Sequence, residues 1–230
     1  MRRIALALGV VMLGPGLASA GGLDLRLGGF FPSADSNLFH DDADLYGTSK
    51  SDFNGFAGGI EYNARLASHL ELGLHLDGYG KSVETSYRNY TWPDGGEIRQ
   101  ELDLSIVPLG MSLRLIPTGR NAKLAPYLAA GVDALFYEYK EHGDFIDFQD
   151  PHRQVYGDVY RSDGVALGFH GAAGLRAYVS DDFAIVGEVR YTYGKDDLND
   201  DFGIGAGPNG QGYEIDLSGI TATVGLHVRF

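Results

Sequence analysis

Apolar and polar residues alternate with a period of two in eight separate stretches of this chain. The first sets Leu23, Leu25 and Leu27 against Asp24, Arg26 and Gly28. The second sets Phe56, Gly58, Ile60, Tyr62 and Ala64 against Ala57, Gly59, Glu61, Asn63 and Arg65. The third sets Leu70, Leu72, Leu74 and Leu76 against Glu71, Gly73, His75 and Asp77. The fourth begins with Leu102, Leu104 and Ile106 and resumes with Leu109, Met111, Leu113 and Leu115, so the apolar parity slips near Val107-Pro108 and predicts a bulge there. Leu128 to Phe136, Leu167 to Val179, Phe183 to Tyr193 and Ile220 to Phe230 complete the set. Strict alternation is the mark of a strand with an apolar medium on one face and a polar one on the other.

The apolar faces carry no charge. The opposite faces carry Asp24, Glu61, Glu71, Asp77, Asp103, Asp133 and Glu188 against Arg26, Arg65, Arg114, Arg176, Arg190 and Arg229. A Lys or Arg facing lipid at the bilayer midplane costs about 2–4 kcal/mol, so a clean face is what a membrane barrel requires. A soluble ligand-binding barrel would have the reverse pattern, an apolar interior and a charged exterior. The links at Ala67-Ser68, Pro117 to Lys123 and Ser180-Asp181-Asp182 are short. Those near Pro32 to Asp52, Lys81 to Arg99, Glu141 to Ser162 and Gly194 to Tyr213 are long. The expected fold is all-β: an eight-stranded antiparallel up-and-down transmembrane barrel with short periplasmic turns, long extracellular loops and both mature termini periplasmic.

The first twenty residues read differently. Arg2 and Arg3, the apolar run Ile4 to Leu13, the break at Gly14-Pro15 and the small triplet Ala18-Ser19-Ala20 have the form of a secretory signal peptide, giving a signal at 1–20 and one barrel domain at 21–230. No cysteine is present, so neither a lipid anchor nor a disulfide follows the signal. The formal charge of −13 reflects 31 acidic against 18 basic residues, and the balance becomes more acidic without Arg2 and Arg3. Nucleic acid is thereby excluded as a partner, since phosphates must be met by Lys and Arg.

With the signal, the eight segments and the alternating link lengths go three local features: the strand opening Ala125-Pro126-Tyr127-Leu128, the hairpin from Leu175-Arg176-Ala177-Tyr178 to Glu188-Val189-Arg190-Tyr191, and the aromatic Phe230. Together they resemble the small eight-stranded outer-membrane β-barrels of the OmpA-like and OmpX-like family. The resemblance spans the mature chain and rests on patterns rather than invariant residues. It implies a Gram-negative outer-membrane location, a monomer, contact with outer-membrane lipids including lipopolysaccharide, and recognition of Phe230 by the barrel-assembly machinery. The soluble peptidoglycan-binding domain of larger members is missing.

Pairing across the short turns places Glu61 opposite His75, Arg65 opposite Glu71, and Glu188 diagonal to Arg176. A lumen ionic network of Glu61, Arg65, Glu71, His75, Arg176, Glu188 and Arg190 is therefore expected to fill the bore, because eight strands enclose room only for their own side chains. A narrow gated channel is the alternative. The acidic loops, with Asp41, Asp42, Asp44, Asp144, Asp147, Asp196 and Asp197 among their residues, are the expected surface for interaction. No catalytic residue, cofactor or metal ligand is assigned. No histidine has a Ser two residues later, as a lipid deacylase would require, and His142 and His152 have no metal-site spacing. Asp42-Ala43-Asp44 with Gly47 fails as a calcium loop because Phe53 stands where a bidentate Glu is needed.

Overall fold

The computed structural model describes residues 21–119, 122–148, 150–202 and 211–230; the segment read as a signal peptide lies outside them. Eight long strands form a ring: β1 (Gly21–Pro32), β2 (Gly55–Ala67), β3 (Leu70–Thr91), β4 (Glu97–Leu115), β5 (Leu124–Ile146), β6 (Val155–Tyr178), β7 (Phe183–Tyr193) and β10 (Gly219–Arg229). Each pairs antiparallel with its neighbours, and β1 closes the ring on β10. A two-stranded ribbon of β8 (Lys195–Asp197) and β9 (Glu214–Asp216), a helix α1 (Asn37–Tyr46) and 3-10 turns at Lys50–Phe53 and Asp200–Phe202 lie in the long connections.

Register carries the sequence alternation around the ring. Leu25 stands opposite Leu226 on β10 and Ile60 on β2, whereas Asp24 stands opposite His227 and Glu61. A one-residue slip at any seam would exchange the two faces, so burial tests the register directly. Leu113 is 53% exposed and Leu167 67% exposed, while Asp24, Glu61, Arg114 and Arg176 are all at 0%. The barrel is inside-out relative to a soluble protein, with an apolar belt outside and charge within.

The expected bulge in β4 is absent. Val107 pairs with Phe136 and Pro108 with Leu135 in an unbroken ladder to β5, and Leu76↔Leu109 and Tyr79↔Ile106 hold one register against β3. Only the β3 pairing between those two pairs lapses, where Pro108 has no N–H to give. Parity does not slip, because Leu102, Leu104 and Ile106 point inward and are fully buried. The reason lies in the lumen, which is ionic at belt level and mainly aromatic and aliphatic above it. By the same parity Asp103, expected inside, faces outward, where Ser82 donates to it.

The long connections are also more ordered than loops. β3 and β4 run on to a tight turn in which Trp92 donates to Gly96 (2.8 Å) and Gly95 adopts φ +85°. β5 and β6 stay paired to Phe145↔Tyr156 and Ile146↔Val155. In the first connection Leu38, Phe39, Asp42 and Tyr46 recur at helical spacing and are the buried face of α1. The helix ends at Gly47, whose left-handed φ of +70° lets its N–H reach Ala43 O at 3.0 Å. The loop end is thus covered by a folded cap.

Candidate functional site: a filled lumen beneath a folded cap

From the end that holds Gly21 and Phe230 upward, the bore first meets an ionic layer. Arg176 donates to Glu71 (2.8 Å) and Asp24 (3.2 Å), and Arg114 to Asp24 (3.2 Å) and Glu61 (2.6 Å). Arg26 bridges Glu188 (2.6 Å) and Glu61 (2.9 Å), and Arg190 bridges Asp77 (2.8 Å) and Glu61 (3.2 Å). Tyr127 donates to Glu188 at 2.8 Å while its ring lies 4.1 Å beneath the Arg114 guanidinium. Asn63 donates to Asp24 at 3.1 Å, and His227 Nδ1 bonds the other oxygen of the same carboxylate. Each cation serves at least two carboxylates, which is how charges this deep offset their desolvation.

Of the residues expected in this network, Glu61, Glu71, Arg176, Glu188 and Arg190 come together. The partners differ from those the short turns implied. Glu61 and His75 are opposite in register, yet Glu61 is held by Arg26, Arg114 and Arg190, and His75 turns to Asp133. Glu188 binds Arg26, Arg114 and Arg190 rather than Arg176. Arg65 is a correction: it remains opposite Glu71 but lies exposed at the rim, beside the β2 irregularity at Arg65/Ala67, and makes no ion pair among the described residues. Asp24, Arg26, Asp77 and Arg114 are the connectors that pairwise reading missed. Their alternation placed them on the inner face, but only the curl of the ring sets Arg26 against Glu188.

Above this layer Asp133 sits between two imidazoles, with Oδ1 2.9 Å from His75 Nε2 and Oδ2 2.7 Å from His170 Nδ1. Next comes a cavity of about 40 Å³ whose walls include Asp77, Asp133, Arg190, Phe30 and Tyr79. An apolar layer of Phe30, Tyr79, Leu104, Ile106, Leu135 and Leu217 closes over it. α1 and the turn at Lys50–Phe53 cover the mouth, fixed by the bond from Tyr79 Oη to Phe53 O.

The cap has its own buried acids. Tyr139 Oη lies 2.7 Å from Asp42 Oδ2 and 3.1 Å from Glu141 Oε1, all three side chains being buried. A phenol has one proton to give, so the second hydrogen bond at this oxygen needs a protonated carboxyl. Burial raises the Asp42 carboxyl well above the ordinary range, with the Glu141 charge adding to it, and burial pushes Glu141 up to about 7. These two acids are structural, and Asp42, expected on the interaction surface of the loops, is buried in the cap. Phe230 is exposed at the opposite end, stacked on Tyr62 and paired through its backbone with Gly21.

The comparisons with known proteins agree with the fold. The profile described as "Outer membrane protein beta-barrel domain" matches residues 4–230. Among solved structures, OprG from Pseudomonas aeruginosa aligns at 16% identity with a TM-score of 0.54, over 92% of this chain and 96% of that one. Neisserial surface protein A aligns at 15% identity (TM-score 0.47, 92% and 97% covered), and the outer membrane protease OmpT from Escherichia coli at 11% (0.49, 92% and 97%). No curated protein sequence matches the chain. The protein belongs to the outer-membrane β-barrel family. It is a transmembrane barrel of the eight-stranded kind.

Proposed function

We propose that the protein is a non-conducting barrel that presents a folded, acidic cap on the cell surface. The observation that carries this reading is the double closure of the bore, by the ionic layer around Arg114 and Arg176 and again by the apolar layer under α1. In this reading the end with Gly21 and Phe230 faces the periplasm, since the connections there are short and the elaborated ones lie opposite. The exposed acids Asp35, Asp44, Asp52, Glu84, Asp94, Asp158, Asp163 and Asp197 belong to the cap and its hairpins, where divalent cations would bridge them to lipopolysaccharide phosphates. Phe230, open at the periplasmic rim, is the residue offered to the assembly machinery. The reading assigns no catalytic step.

Two measurements test it. Purified protein in planar bilayers is expected to pass no steady current, and an epitope placed in the turn between Asp147 and Gln154 is expected to be labelled on intact cells. A steady single-channel current would replace this reading with a channel. Labelling only after the outer membrane is broken would reverse the orientation.

A further inference from the structure

We propose that His75, Asp133 and His170 form a lumen site for a divalent transition metal of the zinc class. The three come from β3, β5 and β6, are buried, and offer one ligand atom each within 4.8 Å of one another. Two imidazole nitrogens and a carboxylate oxygen are the donor set of many three-residue zinc sites, which bind nitrogen and oxygen at about 2.0–2.2 Å.

Three independent observations favour a cation over a simple hydrogen-bonded cluster. First, His75 Nε2 and Asp133 Oδ1 approach to 2.9 Å without hydrogen-bond alignment, and neither atom has another hydrogen-bond partner among the described residues. Lone pairs converging on an ion take up that disposition. Second, the strands leave room for the cluster by placing glycine beside it. A Cβ at Gly110, between His75 and Asp133 in the register, would lie 1.9 Å from Asp133 Oδ1 and 2.7 Å from His75 Cε1; one at Gly131 would lie 2.6 Å from His170 Cε1. Third, the charges do not balance without it. The described carboxylates Asp24, Glu61, Glu71, Asp77, Asp133 and Glu188 are six against the four guanidinium groups of Arg26, Arg114, Arg176 and Arg190 in this part of the lumen, and Asp133 is held by imidazoles. The carboxylates outnumber the guanidinium groups by two, the excess a divalent ion would offset.

The coordination can be completed on the spot. Asp77 Oδ2 is 3.9 Å from His75 Nε2, and Asp77 and Asp133 both border the cavity of about 40 Å³, which has room for water.

Cobalt(II) is the probe. The full-length barrel in detergent, washed with chelator, is titrated with cobalt chloride and read by visible absorption, with folding checked by gel mobility before and after boiling. About one cobalt per chain is expected, displaced by zinc and not by a hundredfold excess of magnesium or calcium. His170→Gln and Asp133→Asn should lose the band while His227→Gln, an imidazole in the neighbouring layer, keeps it. A folded wild-type barrel that takes up no cobalt, or binding that survives in folded His170→Gln or yields to magnesium, overturns the site. Should both variants fail to fold, X-ray absorption of the zinc-loaded wild type decides. Two imidazole shells support the proposal, and an oxygen-only shell overturns it.

Discussion

Arg114 shows what a single buried cation does in this molecule. It has no exposed surface, touches Asp24, Glu61 and Glu188, and covers the Tyr127 ring. Its loss leaves carboxylates facing one another in a space with no solvent. Removing one member of a buried ion pair typically costs about 3–5 kcal/mol. Arg114→Ala is therefore expected to lower the unfolding free energy by an amount in that range, read from a urea titration of the boiling-sensitive gel shift, while Arg65→Ala, at the exposed rim, should leave it nearly unchanged. Gly225 lies against the β1 backbone, where a Cβ would come within 1.9 Å of Leu25 O. Gly225→Ala must push β10 away from β1 and should destabilise the barrel by roughly 1–3 kcal/mol in the same assay.

At the scale of the element, α1 is held by a proton. Asp42 on the helix and Glu141 on β5 meet through Tyr139, and both are raised in the folded cap by burial. A carboxyl whose folded pKa lies above its unfolded value stabilises fully below the unfolded value, near 4.5. It loses that contribution as pH climbs towards the folded value, about 7 for Glu141. Amide exchange over residues 37–46, corrected for intrinsic rate, should show α1 opening about tenfold or more readily at pH 8 than at pH 5. Asp42→Asn should flatten that dependence. The helix also marks where reading from sequence stopped. Its buried positions follow a helical spacing, but Asp42 among them looks solvated until Tyr139 is known to stand opposite. In β4 the alternation is equally plain but does not say which medium each face meets: Leu102, Leu104 and Ile106 face the bore, whose loop end is largely apolar. The eight strands themselves were legible, since each must satisfy lipid on one face residue by residue. The ion pairs were not, because Arg26 and Glu188 meet across the bore, where sequence separation carries no information.

For the molecule as a whole, the outer belt is the feature most exposed to test. Met111 and Leu226 sit in it, each more than half exposed and on strands far apart in the ring. Met111→Arg should cost about 2–4 kcal/mol of insertion free energy, read as a lower folded fraction in lipid vesicles, whereas Ser112→Ala on the inner face of the same strand should cost far less. The ring also imposes an order of events. Asp24 and His227 are partners 203 positions apart, and the seam between β1 and β10 is built entirely from such distant pairs. β1 emerges from the ribosome before the other strands, yet one of its two edges has no mate until β10 arrives. Throughout that interval its free N–H and C=O groups are open to any other strand, its own or a stranger's. The most dangerous moment in this protein's life is therefore the wait before closure.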